Sequence, residues 1–453
     1  MAAPSILWLR RDLRRGDHPA LVAAAERGPV LPVVVLDPRL LDGAGAVRRA
    51  WYAANVLACR DAYDGHLVVR MGHPAEVLSA LAEETGAGSV HVSRETTPYG
   101  RRRDDRVRER LSDRGVEWVE TGTPYAVGPG LVTKQDGDPY QVFTPFLRAW
   151  RDHGWPQPAA EPADLDLAEA ASDPASMRRL EDGLRGAPDL PEPGEQAALA
   201  RWRDFLDEDL AAYAGERDRP DHAGTSRLSP YLKVGAVHPR TLLADLAGHR
   251  GAGAQTFVSE LAWREFYADV LWHNPSSAWQ DLKPTLSGLT YDDAGDLVEA
   301  WRQGRTGFPI VDAGMRQLLD TGWMHNRVRM ITASFLTKDL HAWWPVGARH
   351  FLDHLIDGDL ASNQHGWQWV AGTGTDASPY FRVFNPVTQG QKFDPDGDYV
   401  RRWVPELAHL EGKAAHEPWT QDQGYAAGYP ERIVDHAAER EEALARLKAI
   451  RPS

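Results

Sequence analysis

Ile6-Leu7-Trp8-Leu9 and Val30-Leu31-Pro32-Val33-Val34-Val35-Leu36 are short apolar runs near the start of the chain, the second rich in β-branched side chains. Three more runs follow at 66–71, 89–93 and 117–121, while helical patterns pass through 48–63, onward from Pro74 and through 101–111. Strands separated by helices of that size predict βαβ units and a doubly wound parallel sheet over residues 1–123, the α/β part of the chain. Such sheets bind ligands at the carboxyl ends of their strands. Neither a GxGxxG nor a Walker loop follows the first strand, so an ordinary dinucleotide or triphosphate site is not indicated.

At 453 residues, two or three domains are expected. Residues 124–193 hold 11 of the 32 prolines and read as part of an irregular connector over 124–198, with a short helix near 176–184. From Glu195 onward the pattern is helical, which predicts an all-helical domain over 199–453. The longest apolar run, at 30–36, is far too short to span a bilayer, and the N-terminus lacks a charged-then-apolar signal pattern. The single cysteine, Cys59, rules out an intrachain disulfide and a cysteine-based zinc site, and the expected compartment is the cytoplasm. A net charge of −14 argues against indiscriminate coating of nucleic acid, but residues 323–349 set Arg327, Arg329, Lys338 and Arg349 against Asp339 alone, a basic segment in an acidic protein.

That segment opens an unusual stretch. It begins Trp-Met-His-Asn-Arg-Val-Arg-Met (323–330) and closes Leu-Ile-Asp-Gly-Asp-Leu-Ala-Ser-Asn-Gln-His-Gly-Trp-Gln-Trp (355–369). Twelve of the 17 tryptophans lie after residue 199, and Trp344, Trp367 and Trp369 flank Asp357, Asp359 and Asn363. A tryptophan-rich helical core with solvated acids at helix ends is the plain alternative. Against it, Asp357-Gly358-Asp359 interrupts the apolar run Phe351, Leu352, Leu355, Ile356, Leu360, where carboxylates need partners. Arg329 is one candidate, and a ring carrying imide and N–H groups is another.

Two further motifs bear chemistry. Gly224-Thr225-Ser226-Arg227-Leu228-Ser229 supplies three hydroxyls and a guanidinium before an apolar helix, suited to gripping phosphate or, more simply, to capping that helix. Glu260, Trp263 and Arg264, at i, i+3 and i+4, share a helix face that can stack on and hydrogen-bond a base, or form a surface salt bridge beside a core indole. His350 and His354 lack an HExxH pattern or a third ligand and read as packing or solvent-facing residues, so no metal is expected.

The segments TSRLSPYL, ELAWREFY, TGFPIVDAGMRQL, TGWMHNRVRMITASFLTKDL, LIDGDLASN and GWQWVAGTGTDASPYFRVFNPVTQGQKFD together resemble the photolyase/cryptochrome family, closest to class I cyclobutane pyrimidine dimer photolyases of bacterial type. The resemblance spans the chain and is strongest from Gly224 to Lys392. It implies an α/β antenna domain, a long connector and a helical domain holding FAD, with deoxyribodipyrimidine photo-lyase activity on DNA. The FAD pocket it implies is Tyr213, Thr225, Ser226, Arg227, Leu228, Ser229, Phe257, Arg264, Asn326, Arg329, Asp357, Asp359 and Asn363. Phosphates would lie on the first group, the polar edge of the flavin on Asp357 and Asp359, and flavin N5 by Asn363. Phe257 departs from the tryptophan often found there. The lesion pocket implied is Glu260, Trp263, Asn326, Arg327, Met330 and Trp369, with Gln389 near the DNA backbone. A damaged, poorly stacked dinucleotide is the easier one to flip out of a duplex.

Asn326 and Met330 stand where six-four photolyases carry histidine, which disfavours six-four repair. Thr97-Pro98-Tyr99-Gly100-Arg101 resembles photolyases with a deazaflavin or flavin antenna rather than a folate one, or else is a loop capping the following helix. Trp367 and Trp344 match the first two members of the family's light-driven electron-transfer chain, and Tyr291 aligns with the third, although Trp279 or Trp343 can substitute. The alternative reading is a cryptochrome-like blue-light photosensor. Glu260, Asn326 and Met330 favour repair, and the absence of a long tail after Ser453 agrees with it. An FAD protein with dark redox chemistry is disfavoured, because no nicotinamide fingerprint is present. The expected partner is dimer-containing DNA, with no membrane, and the expected state is a monomer.

Overall fold

The structure is a computed structural model describing residues 3–293, 295–375 and 382–450; residues 376–381 of the last motif above lie outside it. Five strands, β1 (Ser5–Leu9), β2 (Val30–Leu36), β3 (Val68–Met71), β4 (Ser89–Val92) and β5 (Glu117–Glu120), form one parallel sheet in the order β3-β2-β1-β4-β5. Pro32 sits inside β2, where a proline normally breaks a ladder. Here the Val30 N–H and C=O are taken by Asp166 and Ala168 of the connector, and β3 pairing begins only at Val33, so the missing Pro32 N–H falls in a gap.

Alternation along the strands sends side chains to two different cores. Ile6, Trp8, Leu31, Val33, Val90 and Val92 pack with Leu78, Leu81, Val107 and Leu111 of the helices Pro74–Thr85 and Pro98–Ser112. Leu7, Leu9, Val34 and Leu36 face the helices Pro19–Ala25 and Ala46–Ala62, and that core continues without a break into Trp202, Phe205, Leu228, Phe257 and Phe266 of the helical half. One sheet face therefore belongs to the α/β half alone and the other to both halves.

The connector is more ordered than its prolines suggest. It carries the helices Phe143–His153 and Pro174–Gly183, the first of which the sequence reading did not anticipate. Glu265 anchors it by accepting from the backbone N–H groups of Ala126, Val127 and Gly128, and Asp269 accepts from Gly130 at 2.7 Å. Burial raises the Glu265 pKa, while the Gly128 and Val127 N–H groups act against the rise. Among the described residues, no helix is long and apolar enough to cross a membrane.

Candidate functional site

Asp357 and Asp359 lie on the turn before the helix Leu360–Ala371, and both are buried. Asp359 caps that helix, its Oδ1 accepting from the Ser362 N–H at 3.0 Å. Its Oδ2 receives Arg11 Nη2 at 2.8 Å, with Lys233 Nζ at 4.0 Å. Burial alone would raise the Asp359 pKa, but Arg11, Lys233, Arg264 and the Ser362 N–H together hold it below the usual carboxylate range.

Arg11 lies just past β1, after Arg10, and so stands at the carboxyl edge of the sheet, where strand order reverses between β1 and β4. Lys233 reaches the same carboxylate because the helix Ser229–Val234 ends at Gly235, with φ +73°. A side chain there would run into the Arg11 carbonyl. The sequence reading missed Arg11 and Lys233; the position of Arg11 after the first strand was the available signal.

Asp357 has different partners. Ser229 Oγ at 2.6 Å and Arg329 Nη2 at 2.8 Å both donate to its Oδ2, so the partner suggested by the sequence is the one found. Its Oδ1 is buried without a hydrogen-bond partner. An orphaned buried acceptor calls for a donor from outside the chain, and a ring imide N–H meets that need. Asn363 donates to Ala348 O at 3.0 Å and to Gln364 Oε1 at 2.7 Å, which leaves its amide oxygen as a further acceptor.

The phosphate-type loop is held from behind. Arg201 donates to the carbonyls of Thr225 and Ser226 at 3.1 and 3.0 Å, and Ser226 Oγ accepts from Leu228 N at 3.4 Å. Arg227 takes a left-handed φ of 54°, costly for a non-glycine residue, and lays its guanidinium 3.9 Å from the Trp323 ring centroid. Leu228 is buried under the loop, and Tyr213 meets Phe257 edge-on at 5.7 Å inside an aromatic cluster with Trp202 and Phe205. Arg264 is directed to Pro124 O and Leu232 O and covers Tyr125 at 4.5 Å, so it ties the connector to the helix Ser229–Val234.

Nearby, Glu260 and Trp263 project from the helix Ala252–His273. The sequence allowed a salt bridge between Glu260 and Arg264; instead Arg217 Nη1 donates to Glu260 Oε1 at 2.6 Å. Burial raises the Glu260 pKa and Arg217 opposes the rise. Trp263 stacks on Phe143 of the connector, with centroids 3.7 Å apart and planes 9° from parallel. Such a pair contributes about 0.5–1.5 kcal/mol beyond area burial, and it fixes one indole face, with Phe266 and Tyr267 as further ring neighbours at 5.7 and 5.3 Å.

Asn326 is exposed at the first turn of the helix Asn326–Ser334, which His325 caps. Burial lowers the His325 pKa to about 4. Met330 and Trp369 are half-buried against one core, and Gln389 is half-buried on the helix Pro386–Phe393. Arg327 donates to Asp218 at 2.8 Å and lies 4.5 Å from the Phe393 centroid.

Of the candidate electron-transfer residues, Trp367 and Trp344 lie in the core that Met330 and Trp369 also pack against. Trp367 is buried against Phe351 at 4.9 Å and Trp301 at 6.1 Å, and it covers Gly347, where any side chain would collide with the indole. Trp344, one turn before Gly347, is fully buried.

The family model described as DNA photolyase matches residues 5–163, and the one described as FAD binding domain of DNA photolyase matches residues 257–449. The deoxyribodipyrimidine photo-lyase of Streptomyces griseus is 42% identical, covering 99% of both chains. A crystal structure of a bacterial class III photolyase from Agrobacterium tumefaciens is 38% identical, with a TM-score of 0.92 over 99% of this chain and 98% of that one. An archaeal photolyase from Sulfolobus tokodaii, solved with two FAD molecules, is 28% identical, with a TM-score of 0.84 over 98% of this chain and 100% of that one.

Proposed function

The chain belongs to the DNA photolyase family, and on that premise we propose a division of labour among its residues. It is a light-driven deoxyribodipyrimidine photo-lyase that uses FAD and acts on DNA containing cyclobutane pyrimidine dimers. The observation that carries the assignment of the cofactor edge is the buried, unpaired Oδ1 of Asp357 beside Arg329. The residues fit FAD, offering acceptors at Asp357 and Asn363 for ring N–H groups and the Thr225–Ser229 loop for phosphate.

Reduced FAD supplies a light-excited electron donor when bound. Splitting the cyclobutane ring consumes no net electron, so the protein's task is to hold the dimer beside the donor and keep water away. Trp263, stiffened by Phe143, and Trp369 form flat walls, and Met330 fills irregular space between. Glu260, its carboxyl oriented by Arg217, hydrogen-bonds a pyrimidine base edge. Asn326, exposed at its helix start, reads the adjoining base edge, and Gln389 meets the backbone.

The crevice at the carboxyl ends of β1, β2 and β4 suits an antenna chromophore of deazaflavin or flavin type. Tyr99 donates to Asp37 there, and the Trp8 indole lies between Arg10 and Arg103 at 4.6 and 4.7 Å, its N–H buried and unpartnered. Thr97 caps the next helix through Gly100 N at 3.2 Å, and capping that helix does not compete with the antenna role proposed for the loop. A cytoplasmic monomer is the proposed form, and sedimentation tests the monomer.

Purified protein is expected to carry FAD and, once reduced, to restore thymine dimers in an oligonucleotide under near-UV or blue light and not in darkness. Full FAD occupancy with dimer binding but no light-dependent repair transfers the chain to the photosensor reading. Glu260→Ala is expected to weaken dimer recognition by roughly 1–3 kcal/mol, the cost of an unpaired buried base group. FAD content should stay near wild type. Equal loss of FAD and repair makes Glu260 a structural residue.

A further inference from the structure

Two adjacent residues outside the pocket bind the two charged groups on its DNA side. Arg217 pairs with Glu260 at 2.6 Å and Asp218 with Arg327 at 2.8 Å. The segment is braced by its own Arg219–Asp221 ion pair and by a hydrogen bond between His222 Nδ1 and Glu216. Asp221 is nearly inaccessible, its side chain 2% exposed, whereas Asp218 and Arg327 remain open to solvent at 36% and 20%.

An arginine offered to a DNA phosphate presents the same N–H fork that it presents to a carboxylate. The Asp218 carboxylate therefore holds the seat that a backbone phosphate needs on Arg327. We propose that Asp218 is a specificity-determining residue: it competes with phosphate for Arg327 and yields only when a flipped dimer occupies the pocket at Glu260. The adjacency of 217 and 218 supplies the coupling. A dimer that hydrogen-bonds Glu260 releases Arg217, and movement of Arg217 carries Asp218 away from Arg327. Undamaged DNA must exchange one ion pair for another without that release and gains little. This inference rests on the lesion-pocket reading above.

The test compares binding of one duplex with and without a thymine dimer by wild type, Asp218→Asn, Arg327→Ala and the double variant across a salt series, with FAD content and melting temperature as folding controls. Asp218→Asn is expected to tighten undamaged DNA about two- to fivefold, the size of a partly exposed ion pair. Dimer-containing DNA should change less, so discrimination falls. Asp164→Asn, an exposed acid on the connector, controls for the loss of one negative charge. Arg327→Ala should reduce the salt slope by about one phosphate contact, and in its background Asp218→Asn should have no effect. Equal tightening on both duplexes, or tightening no greater than that of Asp164→Asn, overturns the proposal while leaving the pocket intact. Wild-type binding and salt slope in Arg327→Ala overturns the pocket reading beneath it.

Discussion

Asp359→Ala is expected to lower stability by about 3–5 kcal/mol, the cost of breaking a buried ion pair from one side, and to leave the protein without FAD. The carboxylate joins β1 to the helical half through Arg11, faces Lys233, and caps the helix Leu360–Ala371. Its removal takes a carboxylate from Lys233 and leaves Arg11 with Glu95 at 3.8 Å. Lys233 makes the effect pH-dependent. Burial, then Arg11, lowers its pKa to about 7, and Asp359 is the first group acting to raise it. With a folded pKa below its unfolded value, the folded protein binds fewer protons from about pH 7 to about 10.5, and stability rises with pH across that window. Loss of Asp359 lowers the Lys233 pKa further and extends the window to lower pH. The deficit of the variant should accordingly be larger at about pH 6, where wild-type Lys233 is charged, than at about pH 9, where it is neutral in both. For Asp359 itself the slope has the same sign at lower pH: its depressed pKa gives stability present above the ordinary carboxylate range and lost as pH falls through the depressed value. Urea denaturation of wild type, Asp359→Ala and Asp359→Asn at both pH values checks this. A deficit independent of pH removes Lys233 from the argument, and near-wild-type stability in both variants removes the ion pair.

The strands were legible because a parallel sheet covered on both faces leaves continuous apolar runs, and β1, β2 and β4 are buried from end to end. The helix Phe143–His153 was hidden by the prolines around it, although Phe146 and Trp150 supply its buried face at i and i+4. In the site, Asp357 with Arg329 was readable from an acid interrupting an apolar run beside a basic one. Arg11 with Asp359 was not, because the partners are 348 residues apart and no periodicity links a strand end to a distant helix cap. Arg217 and Asp218 carry no spacing or periodicity in the sequence that points to a site. Their partners appear only when the turn is folded back onto Glu260 and Arg327.

Tyr291 is where that limit matters most, since its proposed place at the end of an electron-transfer chain depends on neighbours that the sequence could not order. Trp343 stands between it and Trp344, with ring centroids 6.4 Å from Trp344 and 6.5 Å from Tyr291, and it is 39% exposed. The Trp344 indole donates to Asp281 at 2.7 Å. Burial and then Asp281 push the Tyr291 pKa up to about 12, so its hydroxyl gives up a proton only when oxidised. Asp292, next in sequence to Tyr291, is gripped by two Arg446 nitrogens at 2.9 Å each. The exposed Asp293 or water is then the expected acceptor. The expected order is oxidation of Trp344, then Trp343, then Tyr291. Trp343→Phe should abolish the tyrosyl signal in transient absorption and slow flavin photoreduction strongly. Tyr291→Phe should leave a longer-lived tryptophanyl signal with a smaller slowing. Both variants, reduced chemically beforehand, should repair dimers at the wild-type rate, because repair then starts from flavin that no longer needs this chain to reduce it. A tyrosyl signal that survives Trp343→Phe shows that Tyr291 is reached by another route. Wild-type photoreduction in both variants makes Trp343 and Tyr291 packing residues and ends the chain at Trp344.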